Sequence, residues 1–155
     1  MYYATIILFM AVLPLASILI EHFLAPGADL LILAGRWFVF WAAGIRLFLA
    51  GVRQVANPAF TAKTIFEIED PGARKIVIEL GFANLSLGLL SIASIVRPDW
   101  VLPAAIMAGL YYGLAGGRHL LHSHRNRIEN WATASDVLIC LVFLAYALAA
   151  LLRGF

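Results

Sequence analysis

A chain of 155 residues that is 63% hydrophobic and only 13% charged is too apolar for one soluble core, because a soluble domain averages roughly half apolar and about a quarter charged residues. The formal net charge of +2, with no basic patch interleaved with aromatics, points away from a nucleic-acid partner. Cys140 is the single cysteine, which excludes an intrachain disulfide and a cysteine-built zinc site; within its apolar run it reads as a small buried hydrophobe.

A helix needs roughly 20 apolar residues to cross the hydrocarbon core of a bilayer, and five segments reach that length. Tyr2–Ile20 lacks the basic start and the small-x-small cleavage site of a signal peptide, so it is expected to stay as a membrane helix, kinked by Pro14. Leu30–Val52 follows; its Arg36 and Arg46 are placed to snorkel to opposite faces. Asn57-Pro58 sets a capping residue before a proline at the first helical position. This predicts a short helix over Pro58–Ile68 with Phe60, Ile65 and Ile68 in the membrane interface. Asp70-Pro71 repeats the signal and is expected to cap a third span, Ile76–Val96. The tight Arg97-Pro98-Asp99 joins that span to Trp100–Arg118 as an antiparallel hairpin, and Trp131–Leu152 is the fifth span.

Residues 1–155 therefore read as one all-α integral membrane domain, a bundle of five transmembrane helices in a cell membrane of the bacterial inner type. Small residues recur at helical spacing in two of the spans. Gly81, Asn84, Gly88 and Ser91 share one face, as do Ala105, Gly109 and Gly113, continued by Gly116. Such stripes let helix backbones approach closely where lipid supplies no hydrophobic drive. Gly116-Gly117 is expected to loosen the end of the fourth span. Arg53, Lys63, Arg74, Lys75, Arg118, Arg125 and Arg127 fall on the side holding residues 53–75 and 118–130, against Arg97 and Arg153 on the other. The positive-inside rule then predicts an inside N-terminus and an outside C-terminus.

Nearly all the unusual polar residues gather at that basic side. Antiparallel crossing sets Glu79 and Asn84, early in the third span, beside Arg118, His119 and His122 at the end of the fourth. Arg46, Arg53, Gln54 and Asn57 join from the second span, and Glu129, Asn130 and Asp136 from the start of the fifth. If residues 118–130 are helical, His119, His122, Asn126 and Glu129 form one polar face. Two imidazoles three apart, with Glu79 from the neighbouring helix, are donors that a divalent transition metal accepts; a solvated basic loop is the plainer explanation. Arg46, Glu79 and Asp136 lie within the apolar length. A charge at the centre of a membrane helix costs on the order of 2.5–3.5 kcal/mol on insertion scales, so each should pair, face water or serve a function. Asn84 lies deeper, where a hydrogen bond across helices would account for it.

The stretches Gly51-Val52-Arg53-Gln54, Glu79-Leu80-Gly81-Phe82-Ala83-Asn84 and Asn130 to Asp136 resemble a family of small bacterial and archaeal polytopic membrane proteins of unknown function. That resemblance covers most of the chain and implies a class without a mechanism. His124-Arg125-Asn126-Arg127-Ile128-Glu129 is similar to the H-x-N-x-x-E element of the membrane-associated eicosanoid and glutathione metabolism family. There the element lies between the first two spans, whereas here it comes late, so glutathione chemistry is not carried over.

Three functions compete. The first is a membrane protein, free or within a homo-oligomer or larger membrane complex, whose polar cluster binds a partner, ion or small ligand. The second is a metal-dependent membrane enzyme or redox protein using His119, His122 and Glu79. The third is an oligomeric transporter or channel, for which no inverted repeat is visible.

Overall fold

The computed structural model describes residues 2–121 and 127–154. Five helices in it are long and apolar enough to cross a membrane: Tyr3–Leu24, Leu30–Ala56, Ala73–Ala93, Pro98–Leu120 and Glu129–Arg153. No strand occurs among the described residues. Helices two and five run on past their apolar stretches, through Ala56 and back to Glu129.

Local chemistry explains the ends. Asp29 caps the second span by accepting a hydrogen bond from the Leu31 amide at 2.7 Å, and Gly27, at φ 100°, turns the chain where a side chain would be strained. Asn57 accepts from the Phe60 amide at 3.3 Å, as a residue before Pro58 should. The short helix it starts is Pro58–Phe60 followed by a π-helical turn over Thr61–Ile65, ending before the expected Ile68. The expectation that Asp70 caps the third span is corrected: that helix starts at Ala73 with Gly72 as its N-cap and no side-chain cap bond, and the Asp70 carboxylate instead takes the Gly72 amide at 2.7 Å in the turn just before it. Pro14 has no N–H to close the turn before it, and the chain winds as a π-helix over Leu8–Val12 immediately upstream.

The burial pattern is that of a protein solvated by lipid. The centre is built from small side chains, with Ala42, Ala43, Ala104, Ala105 and Ala108 fully buried beside Val39, Ile139 and Phe143. Large apolar side chains point outward on every span, among them Leu19, Leu49, Leu89, Leu110 and Leu144. A soluble monomer rarely exposes so much contiguous apolar surface.

The small-residue stripes do pack, with different partners from those expected. A Cβ on Gly81 would meet Val55 and Gln54, and one on Gly88 would meet the Phe48 backbone, all on the second span. A Cβ on Gly109, Gly113 or Gly116 would meet Phe143, Cys140 or Val137 of the fifth. The third span is thus fitted to the second and the fourth to the fifth, so the connected third and fourth spans do not use their stripes on each other. Gly116 lies inside a helix that continues to Leu120, so the glycine pair does not loosen its end. The close fit against the fifth span holds the helix there.

Candidate functional site

Arg46 stands where the second span changes register. Residues Val39–Ile45 form a π-helical stretch, after which the α-helix resumes at Arg46. Such stretches inside α-helices occur often at functional sites. The expectation that Arg46 snorkels to the interface is corrected. Its side chain is only 15% exposed and lies 3.7 Å from Asp136 Oδ1, a carboxylate 9% exposed on the fifth span. Its Nη1 donates to the Tyr112 hydroxyl at 3.1 Å, and the guanidinium also lies over the Tyr112 ring, 5.4 Å from its centre. The Tyr112 hydroxyl in turn donates to the Ala42 carbonyl at 2.6 Å, inside the π-helical stretch. One buried tyrosine of the fourth span therefore ties together the irregular backbone and the charge that follows it.

Two acceptor atoms at this centre are incompletely served. The 3.7 Å separation between Arg46 and Asp136 is an ion-pair distance but too long for a hydrogen bond. Asp136 Oδ1 is buried with no hydrogen-bond partner among the described residues, and the same is true of Asn84 Oδ1. The other end of the Asn84 amide donates to Gln54 Oε1 at 2.7 Å, the cross-helix bond expected of it. Tyr111, next to Tyr112 on the fourth span, is partly buried near Asn84. Buried polar atoms are nearly always satisfied, and a pair of acceptors calls for a group that donates.

The other expected residues divide. His119 Nδ1 lies 3.0 Å from Glu129 Oε1, joining the end of the fourth span to the start of the fifth. Glu79 is exposed and makes no hydrogen bond or ion pair with any described residue. The reason is helix pairing: the third span faces the second, so Glu79 is not carried to His119. His122 and Asn126 lie outside the described residues. Among the described residues no group of three or more His, Cys, Asp or Glu is placed to hold a metal ion, and the His119, His122 and Glu79 set includes one residue that is not described.

Tyr111 and Tyr112 were not expected at the site. Tyr112 stands seven residues before His119, two helical turns away on the same face, and that spacing was the available signal. At the opposite membrane end Glu21 also binds two partners: Arg36 Nη1 donates to it at 2.7 Å and Trp37 Nε1 at 2.6 Å. There both carboxylate oxygens are served, in contrast to Asp136.

No curated protein and no solved structure matches the chain. One family pattern does match, over residues 2–154, the family of unknown function DUF6790. A match over nearly the whole chain, the fifth span and its Asp136 included, settles membership: this protein belongs to the DUF6790 family.

Proposed function

We propose that the protein is a multi-pass cell-membrane protein, N-terminus inside and C-terminus outside, whose polar centre binds a small cation or another small donor-bearing ligand from the cytoplasmic side. The observation that carries this reading is the pair of buried acceptors, Asp136 Oδ1 and Asn84 Oδ1, without donors among the described residues. Arg46 lends the centre a permanent charge that offsets Asp136, so a ligand adds hydrogen bonds without leaving a naked carboxylate in the bundle.

Thermal unfolding of the detergent-purified, untagged protein tests the binding. The probes are ammonium, alkali and alkaline-earth cations, methylamine and zinc. A ligand at about a hundred times its Kd stabilises by roughly 2.7 kcal/mol. We expect one probe to stabilise the wild type in this way and to lose at least tenfold in affinity in Asp136→Asn. If no probe distinguishes the two proteins, the reading fails. Zinc is included because His119 and Glu129 present a nitrogen and an oxygen donor 3.0 Å apart. A zinc response lost in His119→Ala but kept in Asp136→Asn would replace the ligand centre with a metal site at the helix ends.

The orientation rests on the excess of arginine and lysine around residues 53–75 and 118–130. A reporter fused near Lys63 should be active in the cytoplasm and one at the C-terminus outside. Cytoplasmic activity from both would exclude an odd number of crossings.

A further inference from the structure

The cations at the two ends of the bundle are treated differently. At the end holding the chain's C-terminus every arginine near the membrane surface has a carboxylate: Arg36 with Glu21 at 2.7 Å, Arg97 with Asp99 at 3.1 Å and Arg153 with Asp29 at 2.8 Å. At the other end Lys63 reaches Glu69 at 2.9 Å. Arg53, Arg74, Lys75, Arg118 and Arg127 are all exposed and form no ion pair with any described carboxylate. Acidic groups are at hand there, since Glu79 lies one turn from Lys75 on the same helix, so the lack of pairs is not a shortage of partners.

Arg53 is also pre-set. Its guanidinium lies over the Phe60 ring, 3.8 Å from the ring centre, which fixes the plane by cation–π attraction and leaves the N–H edges to donate. A planar fork of donors held in place suits a phosphate.

The surroundings separate a lipid phosphate from a dissolved one. Four of these cations have exposed apolar side chains next to them in the sequence: Val52 by Arg53, Ile76 by Arg74 and Lys75, Leu120 and Leu121 by Arg118. An open groove of about 320 Å³ runs between the fourth and fifth spans, lined by Leu120, Asn130, Thr133, Ala134 and Val137. Exposed cations at the same end of the bundle as exposed apolar side chains and this groove match an amphiphile with one anionic head and long chains.

We infer that this end of the bundle binds anionic phospholipid headgroups, with Arg53 on Phe60 and the exposed Arg118 as the principal contacts. Native mass spectrometry of the protein in micelles holding equal phosphatidylglycerol and phosphatidylcholine reads the preference directly. The wild type should retain phosphatidylglycerol at least tenfold over phosphatidylcholine. Each basic side chain near an anionic membrane surface is worth roughly fivefold, so Arg53→Gln and Arg118→Gln should each lower the preference by about that factor. Arg153→Gln, at the opposite end, should leave it unchanged. Equal uptake of the two lipids overturns the inference, and so does a preference that survives Arg53→Gln combined with Arg118→Gln. Displacement of the lipid by millimolar inorganic phosphate would show a site for the free anion and overturn it as well.

Discussion

Replacing Asp136 with alanine is expected to destabilise the bundle by about 3–5 kcal/mol, the usual cost of leaving one member of a buried ion pair without its partner. The change removes the carboxylate that lies 3.7 Å from the Arg46 guanidinium, whose side chain is 15% exposed. Arg46→Ala should cost a similar amount, because it strands Asp136 and also removes the donor to Tyr112. The double change Arg46→Met with Asp136→Leu should recover most of the loss, since replacing both charges by apolar groups of similar size is often close to neutral. Equilibrium unfolding in mixed micelles, read by circular dichroism, gives the three values. A loss below about 1 kcal/mol for both single variants would mean that water reaches the pair and that the centre is not closed.

The second large effect is steric. Gly88→Ala places a methyl 2.6 Å from the Phe48 amide nitrogen, and Gly51→Ala places one 2.7 Å from the Gly81 carbonyl oxygen. The opposing atoms are backbone, so no rotamer change relieves the overlap and the helices must separate. Overpacking typically costs about 1–3 kcal/mol, and we expect both variants near the upper figure. Gly117→Ala is the control: a Cβ there meets nothing within 4 Å, and removing a glycine from a helix should gain about 1 kcal/mol. If all three alanines behave alike in the same unfolding assay, the glycines are not contact points between spans.

How far the sequence revealed this structure depends on which feature is asked about. Membrane helices are legible because lipid demands length and apolarity, and both are local properties. The cap at Asn57 was legible for the same reason: a cap is made by a side chain and an amide three residues away. Small-residue faces could be read from helical spacing, but not their partners, because a stripe of glycines states that something approaches closely and not what. That gap led Glu79 to be set beside His119, whereas the fit of the third span to the second leaves Glu79 exposed. Arg46, Asp136, Asn84 and Gln54 were expected in one neighbourhood and are found as one ion pair and one hydrogen-bonded pair. Tyr112 was passed over because an aromatic in an apolar run has an ordinary explanation. Its role depends on a hydroxyl bond to a π-helical carbonyl, and the π-helical stretch has no signature in residue type.

The Arg46–Asp136 pair also imposes an order on biosynthesis. Arg46 enters the bilayer with the second span, and its partner is not translated until the fifth. The third span can dock on the second as soon as it emerges, through Gly51, Gly81 and Gly88, but that contact supplies no carboxylate. Translation of the last helix is what brings the Asp136 carboxylate to the Arg46 guanidinium. A ribosome that stops early, or a frameshift before residue 136, therefore leaves a product without this ion pair, a difference that proteases and chaperones can read as unfinished.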